Sequence, residues 1–304
     1  MMKLITKFSE KFSTDKAISL IEMDEFNINI PYTVLINSSD IANINIFLNH
    51  AKLVTDSLNY PRYSIRISFS DIAYPHYIQS IVQKNNVELA IKKLIDEAYK
   101  NNINTFDIIF QPLLENVMWS GGIIKKDNFT FMELVCGTGK TIFREGQYIY
   151  RYLYTEISEF ETLGNQNICI NWCNGDLVEK NFKSNYISQE LLRSIANRIK
   201  DIKYINNKIY EFGFVDNNII FFECKTITNG SYENLEKVFI EEEYDVLNIH
   251  ERCDKILEFD MPAFNHINKL NNHSSIYING GSILSHLAFY CTQKQMPCKL
   301  KTNR

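Results

Sequence analysis

The chain has 304 residues, 45% hydrophobic and 13% aromatic, enough for about two domains with buried cores. Its formal net charge of −4, with no basic stripe, excludes nucleic acid as the main partner, and its seven cysteines form neither a C-x-x-C pair nor a zinc-like spacing with histidine. MMKLITKFSE breaks its apolar residues too early for a signal peptide and no run of about 18 apolar residues follows, so a soluble, cytoplasmic chain in a reducing compartment, with no membrane partner, is expected.

Ser13-Thr14-Asp15 is a helix N-cap cluster ahead of KAISLIEM, and NINIPYTVLIN reads as a strand entered past Pro31. Lys16 falls in the first turn of that helix, as either a solvated surface charge or a phosphate ligand. YSIRISFS, residues 63–70, puts Ile65, Ile67 and Phe69 on one face of a strand and Ser64, Arg66, Ser68 and Ser70 on the other. A guanidinium among hydroxyls suits a phosphate; an ordinary solvent-facing strand has the same pattern. DIAYPHYIQSI follows without a glycine, and its His76 reads as structural or exposed.

Val87 to Tyr99 has the apolar spacing of a packing helix, and the apolar strand Phe106 to Phe110 runs into Gln111-Pro112-Leu113, where Pro112 has no N–H to offer. Gly121-Gly122 opens two strands and a Gly-rich turn. Gly137-Thr138-Gly139-Lys140-Thr141 is not a P-loop, because Leu134 stands where the first glycine belongs. Residues 146–180 show aromatic and then turn-like character without evident chemistry, and SQELLRSIANRIKDI, residues 188–202, is a capped amphipathic helix.

EFGFVDNNIIFFECKTIT, residues 211–228, reads as a β-hairpin. A turn centred on Asn217 puts Val215 opposite Ile219 and Glu211 opposite Glu223, with Lys225 on the same side. Two facing carboxylates repel unless a cation lies between them; Mg²⁺ with nucleotide phosphates is one candidate and Lys225 alone another. NGSYENLEKVFIEEEY then reads as a domain boundary. Beyond it come a strand at Lys255–Phe259, a helix at Pro262–Leu270, a strand at Ser275–Ile278, a helix at Leu284–Gln293 and a strand at Cys298–Leu300, in a βαβαβ order. His286 would sit in the first helical turn after Gly280-Gly281, where free N–H groups favour an anion, or would simply pack there.

In order, these segments resemble the phosphoenolpyruvate synthase and pyruvate phosphate dikinase family. Lys16-Ala17 with Leu20 and Pro31 matches its Gly-Gly-Lys-Ala opening, Arg66 with Ser68 its Val-Arg-Ser-Ser strand, and Gln111 its adenine-binding hinge. Glu133, Gly137 and Gly139 are in register with Glu-Ala-x-x-Gly-Leu-Gly-Glu. Glu211 and Glu223-Cys224-Lys225-Thr226-Ile227-Thr228 stand where the family has Glu and then Gln-x-Arg-x-Ile-Thr, and Gly280-Gly281 through Ala288 resembles its phosphohistidine motif. Thr14 and Asp15 replace two glycines, the lid glycines are missing, and Glu and Lys stand for Gln and Arg.

The resemblance implies an α+β and α/β chain: an ATP-grasp domain over 1–230, a linker over 231–250, and a shortened swivelling phosphohistidine domain over 251–304. It implies Mg²⁺ and ATP, with Lys16, Arg66, Gln111, Leu113, Glu133, Glu211, Glu223 and Lys225 around the nucleotide and Glu211 and Glu223 on the metal. His286, with Lys225 and Arg66, would carry catalysis, passing a phosphoryl group to an unidentified small-molecule acceptor with release of AMP and phosphate. The family's pyruvate-binding barrel is missing from the sequence, so pyruvate is not the expected acceptor, and a partner chain could supply the acceptor site. Two alternatives stay open: a degenerate nucleotide-binding or regulatory protein without turnover, and direct transfer from ATP that does not use His286.

Overall fold

The computed structural model describes residues 5–58, 60–69, 77–115, 117–182, 188–200, 202–247, 255–260, 262, 267, 270 and 274–301. His76 and the glycine-free segment around it, Cys253, and most of the helix expected at Pro262–Leu270 lie outside them. The chain divides into two compact units. One is Met1–Glu115 with Cys173–Asp176 and Ile220–Cys224; the other is Asn116–Trp172, Leu177–Ile219 and Lys225–Arg304.

In the first unit the elements are β1 (Ile5–Lys7), α1 (Asp15–Glu25), β2 (Thr33–Asn37), α2 (Ile44–Leu58), β3 (Arg62–Ser68), β4 (Tyr77–Gln83), α3 (Val87–Lys100) and β5 (Asp107–Pro112). The sheet runs β1-β2-β5-β3-β4, parallel only between β1 and β2. Val34 and Ile36, Tyr63, Ile65 and Ile67, and Ile108 and Phe110 meet Phe47, Ala51 and Val54 of α2 and Ala90, Ile91 and Leu94 of α3 in one core. The helical spacing of Phe47, Ala51 and Val54 already marks α2, which the sequence reading passes over, as it does β4.

The second unit holds β6 (Trp119–Lys126), β7 (Phe129–Cys136), α4 (Lys140–Phe143), β8 (Tyr150–Thr155), β9 (Glu159–Leu163), α5 (Gln189–Lys200), β12 (Lys208–Val215), α6 (Lys237–Ile240), β14 (Glu243–Leu247), β15 (Lys255–Phe259), β16 (Ser274–Ile278), α7 (His286–Gln293) and β17 (Cys298–Lys301). Strands β10 (Ile168–Cys173), β11 (Asp176–Asn181) and β13 (Asn218–Thr226) carry residues counted in both units. A six-stranded sheet runs β13-β12-β6-β7-β8-β9 and a four-stranded one β14-β17-β16-β15, with β10 and β11 paired apart. Within the smaller sheet β15, β16 and β17 are parallel, as the βαβαβ order requires, and β14 adds an antiparallel edge.

This division differs from the one drawn on the sequence. Tyr232, Leu235, Val238, Tyr244 and Val246, in the segment read as a linker over 231–250, are buried in the same core as Ile124 and Phe131 of the larger sheet and Ile276, Leu287 and Leu300 of the C-terminal segment. An acidic sequence hides this, because its charges alternate with five well-spaced apolar anchors. Residues 146–180, read as turn-like, form four strands, β8 to β11. Among the described residues no helix is long and apolar enough to cross a membrane.

Candidate functional site

Antiparallel pairing in the second unit sets up one row across the sheet. Arg151 of β8 faces Glu133 of β7, Glu133 faces Gly122 of β6, and Gly122 faces Glu211 of β12. Directly opposed residues point to the same side, so two carboxylates and a guanidinium share a face with a gap at the glycine. A Cβ on Gly122 would come within 2.6 Å of Leu284 Cδ1 and 3.2 Å of the Phe143 ring. The missing side chain is what lets the segment before α7 and the end of α4 settle onto this row.

Glu133 is fully buried and engaged by several donors at once. Arg151 reaches it at 2.6 Å, Ser282 donates its hydroxyl, and the amides of Ile283 and Leu284 lie at 3.4 and 3.3 Å. Arg151 also donates to the Gly281 carbonyl at 3.1 Å and stacks on Tyr148. Gly281 is at φ 96°, a conformation that favours glycine. Glu133, expected near the nucleotide, therefore does something else: it pins the 281–284 loop, and its burial and its partners leave no acceptor edge for a ligand. A lone Arg within the apolar-aromatic run YRYLY was the available signal for such a buried partner.

The pinned loop delivers His286. Ser285 caps α7, its side chain accepting from the Ala288 amide at 3.2 Å, and places His286 in the first turn. Its ring stacks near Phe143, centroids 5.7 Å apart. His286 Nε2 lies 3.7 Å from Glu211 Oε1, and Lys225 Nζ lies 3.2 Å from the same oxygen and over the Phe289 ring. The three side chains are 24%, 18% and 21% exposed, so an imidazole, a carboxylate and an ammonium converge where water and a ligand can reach them.

The hairpin turn is not the expected one. Asp216 and Asn217 both have positive φ, 48° and 64°, between β12 ending at Val215 and β13 beginning at Asn218, which is a two-residue turn of the I′ kind. The turn is one residue tighter than the one centred on Asn217, but farther along the hairpin the Ile227 amide donates to the Asn207 carbonyl at 3.1 Å and Lys208 Nζ reaches Thr226 Oγ1, which is the expected pairing, and Lys225 shares a side with Glu211 as expected. Each carboxylate has a lysine in contact with it. Glu211 takes Lys225, and Glu223 accepts from Lys16 Nζ at 2.7 Å.

In the first unit Asp107 builds the approach to Lys16. It is fully buried, and its carboxylate accepts from the Ser13 amide at 3.0 Å, the Thr14 amide at 2.8 Å, the Thr14 hydroxyl at 2.7 Å and the Asn37 side chain at 2.6 Å. Thr14 is thereby held as the N-cap of α1, and Lys16 is aimed from its first turn. The sequence reading missed Asp107. Arg66 lies on β3 opposite Gln79 and Ile109, with Ser64 and Ser68 beside it both buried, so the strand's polar face is not simply open to solvent. At the hinge expected at Gln111 and Leu113, one backbone and one side-chain donor bond within the protein. The Leu113 amide donates to the Arg62 carbonyl at 3.0 Å, and the Gln111 side chain donates to Thr33 Oγ1 at 2.9 Å. Lys140, set aside with the rejected P-loop, lies 4.8 Å over the Trp172 ring.

No family model and no curated protein matches the chain. Solved structures that it is similar to include the D-alanine-D-alanine ligase of Helicobacter pylori, 13% identical with a TM-score of 0.37 over 71% of this chain and 54% of that one. The VanG D-Ala:D-Ser ligase of Enterococcus faecalis gives 15%, 0.37, 75% and 57%, and the D-alanyl-alanine synthetase A of Vibrio cholerae 12%, 0.35, 75% and 59%. The chain thus spans a little over half the length of these structures, and likeness at this level assigns neither its fold family nor its activity. These are amino-acid ligases rather than phosphoenolpyruvate synthases or dikinases, and no family model supports the motif resemblance, so membership of that family is withdrawn. The phosphohistidine role of His286 and the swivelling domain rested on that membership and fall with it.

Proposed function

We propose that the chain is an ATP-using enzyme with a fold of the ATP-grasp kind, whose reacting centre in the second unit is His286, Glu211 and Lys225. The observation that carries this reading is the convergence of the imidazole and the ammonium on one Glu211 oxygen at the start of α7. A partly exposed ammonium beside a helix N-terminus suits a phosphate anion, and His286 at that position suits a proton moved to or from an acceptor. In the first unit Lys16 and Arg66 are proposed as phosphate contacts, and Glu223 as a carboxylate for the metal.

Mg²⁺ commonly binds through one or two carboxylates together with phosphates. Glu211 fits that pattern, being partly exposed and already facing the Lys225 ammonium. When bound, the metal would supply charge neutralisation at the phosphates. Glu211 would hold it, and Lys225, released from its carboxylate, would turn to the phosphate.

The test is ATP consumption by the full chain in the presence of Mg²⁺ and a small-molecule metabolite extract, with nucleotides separated by chromatography. Extract-dependent conversion of ATP, reduced about a hundred-fold or more in His286→Asn, supports the reading; conversion that is indifferent to His286 overturns it. A second reading, nucleotide binding without turnover, is favoured by the fact that Glu211 and Glu223 each already have a lysine partner. Saturable ATP binding with no product under any extract would select it.

A further inference from the structure

Cys136 and Cys169 stand 33 positions apart in the sequence and share no motif, but the fold brings their sulfurs to 3.9 Å. Cys136 closes β7 and Cys169 is the second residue of β10, and both are partly exposed. The backbones on either side are tied together independently of the sulfurs. The Cys136 amide donates to Gln166 Oε1 and the Gln166 side chain returns a hydrogen bond to the Cys136 carbonyl, each at 2.8 Å, while the Thr138 amide donates to the Ile170 carbonyl at 2.8 Å. Bringing the sulfurs to the roughly 2.05 Å of a disulfide therefore asks for side-chain rotation and not for movement of the strands.

We propose that Cys136 and Cys169 form a redox modification site, a dithiol that a peroxide converts reversibly into a disulfide between β7 and β10. The Cys169 thiolate attacks one peroxide oxygen; the O–O bond breaks, the departing hydroxide takes a proton to become water, and Cys169 is left as a sulfenic acid. The Cys136 sulfur then attacks the sulfenyl sulfur, the S–O bond breaks, and the hydroxyl leaves as water with the Cys136 proton. The two thiols are oxidised by two electrons and the peroxide is reduced by two; a small-molecule dithiol reverses the change by exchange. The environment suits this division of roles. The hydrogen bond shared with Cys136, against the opposing effect of burial and with help from Lys180, brings the Cys169 thiol down to about 7, while the same hydrogen bond and burial push Cys136 up.

The test treats the full chain with hydrogen peroxide, blocks remaining thiols with iodoacetamide, and maps the non-reduced peptides by mass spectrometry. The expected result is a Cys136–Cys169 cross-link with loss of two hydrogens and of both alkylation sites, reversed by dithiothreitol. In Cys136→Ser the sulfenic acid should persist at Cys169 and be captured by dimedone. Full alkylation of both cysteines after peroxide, a cross-link from Cys169 to another cysteine in their place, or dimedone capture at Cys136 and not Cys169 overturns the proposal.

Discussion

Two buried carboxylates hold up the two halves of the chain's candidate chemistry without touching a ligand. Asp107 accepts four hydrogen bonds in the first unit, and Asp107→Ala would leave the Ser13 and Thr14 amides and the Asn37 side chain short of a partner. The expected loss is about 3 kcal/mol, read as an earlier midpoint in chemical denaturation, with Asp107→Asn losing less because it keeps one acceptor in place. Glu133 does the same for the loop before α7. Glu133→Ala strands a buried guanidinium and should cost about 3–5 kcal/mol in the same measurement. Removing Arg151 as well should not restore stability, since Ser282 and two amides also depend on Glu133. Cys169 offers a pH-dependent readout at this scale: its alkylation rate should rise as pH passes about 7 and its thiolate forms. A rise only in the ordinary thiol range would contradict that.

Strand β6 is organised by its two adjacent glycines, and they are not equivalent. A Cβ on Gly121 would meet the Glu133 carbonyl at 2.2 Å, a backbone atom with no room to yield, whereas on Gly122 the obstacle is the tip of Leu284 at 2.6 Å. Gly121→Ala should therefore fail to give a folded second unit. Gly122→Ala should fold with a loss of about 1–3 kcal/mol as Leu284 shifts, with expression yield and unfolding midpoint as the readouts. Local signals made much of this level legible: the Thr14 cap, the alternation of Ile65 and Ile67, and the helix register at Val87 to Lys100 all follow from near-neighbour chemistry. What was not legible is what long-range pairing decides. The turn at Asp216-Asn217 could close on two residues or three from composition alone, and only the row Arg151-Glu133-Gly122-Glu211 shows why Glu133 is consumed inside the protein. His286 was legible from its loop and helix start, while its neighbours Phe143 and Glu211 come from elements far away in sequence.

At the scale of the whole molecule, short motifs in a plausible order suggested one family, and the similar solved structures are of another kind at low likeness. Motif order is a weak guide here because residues such as Gln111, Leu113 and Glu133 match a pattern while donors or acceptors they would offer bond within the fold. The residues proposed for chemistry are fewer and better defined: His286, Glu211 and Lys225 in the second unit, and Lys16, Glu223 and Arg66 in the first. The most direct measurement of the central claim is calorimetric titration of the full chain with Mg-ATP, wild type against Lys225→Met. Saturable binding, weakened about ten-fold or more by the loss of a charged contact, is the result that the Glu211–Lys225–His286 centre predicts; no binding, or an affinity unchanged by the substitution, would contradict it.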